Sequence, residues 1–127
     1  MTVTVPIQMN EAFARAFNSR NIEKLLALYE PDAVLRIDGG EKSFAGITAI
    51  ATELTNLLST SGTMISQNNF CIQQGNLALL RADWTLTGGD GAIIAAGSSV
   101  ELARQQADGS WLYVIDHAAG AGLPRVS

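Results

Sequence analysis

Ala103-Arg104-Gln105-Gln106-Ala107-Asp108-Gly109-Ser110-Trp111-Leu112-Tyr113-Val114-Ile115-Asp116-His117 decides how this chain folds. It reads as two β-strands joined through an Asp-Gly turn, and the second strand carries the adjacent pair Asp116 and His117. Side chains alternate along a strand, so those two project to opposite faces. Strict alternation puts Trp111, Tyr113, Ile115 and His117 on one face and Leu112, Val114 and Asp116 on the other. One of these faces lines an internal cavity and the other is outer surface or subunit contact. With Asp116 inward, His117 is a packing or interface residue. The reverse register makes His117 the only imidazole base and buries Trp111 and Tyr113.

Working back from this stretch, strands are expected over residues 64–74, 76–87, 92–105 and 110–118. The separators Gly75-Asn76, Gly88-Gly89-Asp90-Gly91 and Ala107-Asp108-Gly109 carry hairpin chemistry. The first half is helical. Ile7, Met9, Phe13, Ala14 and Phe17 recur at helical spacing over residues 7–18, with Pro6 at the start. Asn21 caps a second helix, Ile22 to Tyr29, which Pro31 ends. Residues 33–37 form a short strand, Asp38-Gly39-Gly40 turns, and Lys42-Ser43-Phe44 pairs back. Gly46 opens a third helix over residues 47–58. Helices followed by long antiparallel strands define an α+β layer architecture.

With 127 residues the chain is long enough for one domain, residues 1–127, to bury a core without a disulfide or metal. Apolar residues make up 47% and charged ones 16%, the balance of an ordered protein. A net charge of −4 with scattered Lys and Arg excludes nucleic acid and membrane surfaces as partners. One cysteine, Cys71, rules out an intrachain disulfide, and it has no neighbour to activate it. With one histidine and no ligand pair at metal spacing, no dedicated zinc site is expected, and the one alternative is a mononuclear site of carboxylates plus His117. Met1 to Ile7 lacks the features of a secretion signal and no apolar run approaches ~20 residues, so the expected compartment is cytoplasmic. Both faces of the late strands carry apolar residues, while helices cover only one. A homodimer formed through the outer sheet face is therefore expected.

Several segments together resemble the nuclear-transport-factor-2-like, or SnoaL-like, superfamily, in its uncharacterised small-domain branch. They are residues 13–21 (FARAFNSRN), 25–34 (LLALYEPDAV), 44–50 (FAGITAI), Leu77-Ala78-Leu79 through Trp84, and Asp108-Gly109-Ser110-Trp111 through Asp116-His117. The resemblance implies a cystatin-like curved antiparallel sheet with three N-terminal helices on its concave face, forming a cone. Relatives include ketosteroid isomerase, scytalone dehydratase and polyketide cyclases, so the fold alone settles no chemistry. Against the ketosteroid isomerase pattern, the oxyanion tyrosine falls at Phe13 and the general-base aspartate at about Ile37, with Asp38 one residue away. The second oxyanion acid falls at Glu101, where the carboxyl is kept. Loss of two roles in three argues against steroid isomerisation. The same comparison implies that Ala78, Leu80, Ala82, Trp84, Glu101, Val114 and Asp116 face the pocket.

Asp116 and Glu101 are the candidate catalytic residues. As inward neighbours in an apolar cavity they would repel one another, which raises a carboxyl pKa and creates an acid–base pair near neutral pH. The competing reading is that each carboxylate is merely hydrogen-bonded or ion-paired, with Arg36 or Arg15. Trp84 is the candidate ligand-stacking wall, or else a plug in the cone; Leu80, Ala82 and Val114 continue the wall. Phe13 is its contribution from the first helix, although Phe13, Phe17 and Tyr29 read first as core. Gly97 and Ser99 leave room opposite Trp84 for a ligand, or permit a strand bend. The expected function is binding of a small apolar or hydroxylated molecule, with cofactor-free isomerase, dehydratase or cyclase chemistry. The rivals are a binding module without chemistry and a homodimerising scaffold.

Overall fold

A computed structural model describes residues 2–39 and 42–124, so Gly40, the last residue of the expected turn, lies outside them. One 3-10 turn, Pro6–Gln8, leads into α1 (Met9–Ser19), so the α-helix begins two residues later than its apolar pattern. Arg20 ends α1 in the left-handed conformation (φ 59°), with its guanidinium 4.2 Å over the Phe17 ring. Asn21 caps α2 (Ile22–Leu26), accepting hydrogen bonds from the N–H groups of Glu23 (3.0 Å) and Lys24 (3.4 Å).

The second helix is shorter than the expected span to Tyr29. Tyr29 already belongs to β1 (Tyr29–Arg36), and the Tyr113 N–H donates to the Leu28 carbonyl at 2.7 Å. Pairing with a distant strand outweighs the local helical pattern here. Pro31, read as the helix stop, instead sits within β1, in the stretch where its register shifts between Tyr29 and Val34. A residue without an N–H is tolerated at such an irregularity.

β2 (Phe44–Ala45) pairs back onto β1, and α3 (Ile47–Leu58) follows. The long strands are β3 (Thr63–Gln74), β4 (Leu77–Thr87), β5 (Ile93–Gln105) and β6 (Trp111–His117). The six form one curved sheet in the order β2-β1-β6-β5-β4-β3. Its pairings are antiparallel except β1 with β6, which run parallel. α1 packs on β3 and α3 on β1, so the helices cover one face of the sheet. The core between them includes Met9, Phe17, Leu25, Ile50, Leu54, Leu80 and Trp111, each 1% exposed or less. The Asp-Gly turn before β6 is as expected. Gly109 has φ 87°, where a side chain is strained, and Asp108 Oδ1 accepts from the N–H (2.9 Å) and Oγ (2.6 Å) of Ser110.

Strict alternation fails on β6. Leu102 faces Ile115 but Ala103 faces Tyr113, so Val114 is an extra residue, a β-bulge. Trp111 and Tyr113 point inward before it, and Asp116 points inward after it. The two registers weighed from the sequence each describe half of the strand. A bulge carries one residue with no partner, so every side chain beyond it changes face.

The outer face carries an apolar row across five strands. By register it runs Ile72, Leu79, Leu102, Ile115, Val34. Ile72, Leu79 and Ile115 are 59%, 42% and 47% exposed.

Candidate functional site

Between the inner face of the sheet and helices α1 and α3 lies a cavity of about 250 Å³. Leu54 and Leu57 of α3, Leu35 and Ile37 at the end of β1, Phe13 of α1 and Leu86 of β4 give it apolar walls. Trp84 forms one side, and Ala118, just past β6, another. The polar groups are Glu101, Asp116, Asn10, Tyr113, Ser99, Ser66 and Thr60. No Lys, Arg or His is among the described residues lining it.

Glu101 and Asp116 are direct cross-strand partners on β5 and β6, both inward and nearly buried. Cβ atoms of such a pair stand roughly 4.5–5.5 Å apart. Each carboxyl is held by a different neighbour. The Tyr29 hydroxyl donates to Asp116 Oδ2 at 2.5 Å, and Asn10 Nδ2 donates to Glu101 Oε1 at 2.9 Å. Asn10 also donates to Asn68 Oδ1 (3.1 Å), and its own Oδ1 accepts from the Tyr113 hydroxyl (2.6 Å). The rings of Tyr29 and Tyr113 pack 5.2 Å apart, with Phe13 edge-on to Tyr113 at 6.4 Å. Among the described residues every buried side-chain nitrogen and oxygen has a partner.

Burial and the neighbouring Asp116 charge push the Glu101 carboxyl up to about 8. Burial raises Asp116 to about 6, and the Tyr29 hydrogen bond, which favours the carboxylate, holds it back. Between those values the pair as a unit holds one proton and one negative charge. The ion pairs weighed for these carboxyls are not formed: Arg15 lies 3.6 Å from Glu11, and Arg36 donates to Ser43 Oγ at 2.7 Å. His117 points outward, its imidazole pKa lowered by burial and by Arg36.

Of the expected wall residues, Phe13 and Trp84 line the cavity and the other three do not. Leu80 and Ala82 face inward but are completely buried, as is Ala78 at 1% exposure. They sit under the site rather than in it. Val114 is the bulge residue, half-buried and off the cavity wall. The room expected beside Gly97 is filled by Trp84 itself. A Cβ at position 97 would lie 2.7 Å from the indole Cζ2, and the Trp84 N–H donates to the Ala118 carbonyl at 2.8 Å. Trp84 is therefore a fixed wall, laid on the bare backbone of β5.

Sequence reasoning missed Tyr29, Tyr113 and Asn10. Asn10 had a signal: it precedes Phe13, Ala14 and Phe17 at helical spacing, a polar side chain on the stripe that faces the core. The tyrosines had none, because one depends on the long-range β1–β6 pairing and the other on the bulge.

The SnoaL-like domain family matches residues 10–117, and the chain belongs to that family. No curated protein matches it. Among solved structures, a protein provisionally assigned as a calcium/calmodulin-dependent protein kinase type II association domain from Thiobacillus denitrificans is similar over 94% of this chain and 97% of that one. Its TM-score is 0.80 at 22% identity. A ketosteroid isomerase-like protein from Erwinia carotovora atroseptica gives a TM-score of 0.73 at 25% identity, covering 86% of this chain and 88% of that one. An NTF2-like protein of unknown function from Pseudomonas putida gives 0.71 at 22%, covering 88% and 81%. The cystatin-like, NTF2-like architecture is thus shared with proteins of differing description, as the sequence resemblance implied.

Proposed function

We propose that this protein binds a small, largely apolar organic molecule in the cavity and moves a proton on it without a cofactor. Asp116 is the base and Glu101 the acid. The observation that carries this reading is two cross-strand carboxyls, buried against apolar walls and driven apart in pKa, beside open volume. Near neutral pH one carboxyl can accept a proton while the other donates one, as isomerisation, dehydration or cyclisation requires. The volume is a little below the roughly 300–1,000 Å³ typical of drug-sized ligands, so one or two rings fit.

The experiment is an NMR assay of deuterium uptake from D2O by a panel of one- and two-ring carbonyl, hydroxy and amino compounds. Catalysed exchange that falls about 10²–10⁴-fold in Asp116→Asn supports proton transfer. Compounds that bind in the cavity without any catalysed exchange would leave binding alone as the function.

The outer apolar row supports a second element, a homodimer. A ladder of Ile, Leu and Val side chains across five strands is self-complementary under a two-fold axis, and water is a poor neighbour for it. The fitting occupant is a second copy of this chain. A lone cysteine, half-buried and unpaired, suits a reducing compartment such as the cytoplasm. Among the described residues no helix is long and apolar enough to cross a membrane.

A further inference from the structure

Counting hydrogens around the cavity separates what its polar groups give from what they take. Tyr29 commits its one O–H to Asp116, and Tyr113 commits its own to Asn10. Both amide hydrogens of Asn10 are in use, one on Glu101 and one on Asn68. The Trp84 N–H is held by the Ala118 carbonyl. The single Ser99 hydrogen serves either the Ala82 carbonyl, at 3.3 Å, or the Glu101 carboxyl, whose charged form Ser99 favours. A phenol, an indole and a hydroxyl have one donor each and an amide has two, so these five side chains keep none for a ligand. The remaining hydroxyls on the wall, Ser66 and Thr60, come from β3 and the loop before it, not from the strand pair that carries the acids. The carboxyls are different. An ionised carboxylate offers about four lone-pair positions, and even the one that carries the shared proton keeps acceptor capacity, while Tyr29 fills only one position on Asp116 and Asn10 one on Glu101. Around the acids, then, the cavity presents acceptors and negative charge, and among the described residues no cationic side chain on its wall offsets either.

We propose that the molecule this cavity takes carries a protonated amine, seated between Glu101 and Asp116, on an apolar ring body lying against Trp84 and Phe13. This rests on the reading of the cavity as a small-molecule site and adds the chemical class of the head group. An ammonium has donors and no acceptor, the inverse of what surrounds the carboxyls, and it supplies a positive charge that none of the described lining residues carries. The nearby aromatic rings reinforce the choice, since their faces are negative and attract cations. A ketone oxygen meets no free donor there except a carboxyl proton. A carboxylate ligand adds a further negative charge to a buried pair that already repels. An alcohol can donate but leaves the charge unbalanced.

The test compares 2-aminoindane, 2-indanol, 2-indanone and indane-2-carboxylate, one ring body with four head groups. Binding to the full chain is followed by calorimetry and by amide NMR shifts around the cavity. The amine should bind about tenfold or more tighter than the alcohol and ketone, because charge-assisted hydrogen bonds exceed neutral ones by roughly that factor. The carboxylate should not bind. In Asp116→Asn with Glu101→Gln, which keep the shapes, the preference for the amine should disappear. A ketone or alcohol binding the cavity as tightly as the amine overturns the amine assignment and leaves the small-molecule reading standing. Failure of all four at millimolar concentration overturns both. The comparison on the unsubstituted protein decides the matter even if the double variant does not fold.

Discussion

Tyr29 and Asp116, 87 positions apart, are joined by a 2.5 Å hydrogen bond that exists only because β1 runs parallel to β6. The phenol donates to the carboxylate, so it lowers the cost of keeping Asp116 charged in a buried place. Tyr29→Phe removes that donor and little else. The Asp116 pKa should rise above its present value of about 6, read by ¹³C NMR of labelled aspartate carboxyls. Stability near neutral pH should fall by about 1–3 kcal/mol, the cost of a buried acceptor left without its partner. An unchanged Asp116 titration would mean that the hydroxyl does not hold the carboxylate.

The Glu101 carboxyl owes its elevation to burial first and to Asp116 second. Asp116→Asn removes the second cause while keeping the shape of the side chain. The Glu101 pKa should drop from about 8 toward, but not to, its ordinary value of 4.5, because burial remains. The same labelled-carboxyl titration checks this.

These elevated values also set how stability varies with pH. In the unfolded chain the two groups titrate near 4.5 and 3.8, and in the folded chain near about 8 and 6. The folded state therefore holds protons that the unfolded state has released. Their contribution is fully present below the unfolded values and is lost as pH rises through about 6 and then about 8. Urea unfolding should give a higher midpoint at about pH 5.5 than at about pH 8.5, with a smaller difference in Glu101→Gln. Glu30, whose carboxyl is held low by Arg104, works in the opposite sense but has finished titrating below that window.

Gly97 has no freedom to gain a side chain. A Cβ there would stand 2.7–2.9 Å from three atoms of the Trp84 indole. Gly97→Ala must push the ring toward the cavity or bend β5, at a cost of about 1–3 kcal/mol. Loss of stability with altered tryptophan fluorescence is the expected outcome, and ligand affinity should fall with it.

The outer apolar row gives a simple readout. Ile115, 47% exposed, sits in the row between Leu102 and Val34. Ile115→Asp would put a like charge from each copy into the apolar row that the pairing buries, so light scattering should report a dimer for the original chain and a monomer for the variant. A monomer in both would remove the dimer from the account.

Much of the fold could be read from the sequence because its signals are local. Hairpin glycines set strand ends, Asn21 marks a helix start, and the parity of β5 correctly sends Ser99, Glu101 and Ala103 inward. Inward placement of Asp116 was legible too, though for an incomplete reason. What was not legible depends on contacts far along the chain. The early end of α2 follows from β1–β6 pairing, and Pro31 fits a strand only because that pairing is irregular there. Val114 is an ordinary strand residue with no Gly or Pro to advertise a bulge, so neither strict alternation places Trp111, Tyr113 and Asp116 on the same face, and Val114 leaves the expected cavity wall. The site inherits the same division: its acids are visible on one strand pair, while the tyrosines that frame them are set by tertiary register.

The extra residue at Val114 makes β6 two devices on one rod. Upstream, Trp111 and Tyr113 are anchors, each 1% exposed, and changes there are answered in stability. Downstream, the phase of Asp116 is set afresh by its ladder with Glu101 and Leu35. Deleting Val114 would leave Ala103–Tyr113 and Leu102–Ile115 as consecutive rungs of a regular ladder, with Trp111, Tyr113 and Asp116 all still facing inward. The surplus residue is thus what lets Tyr113 and Asp116, three positions apart, share one face.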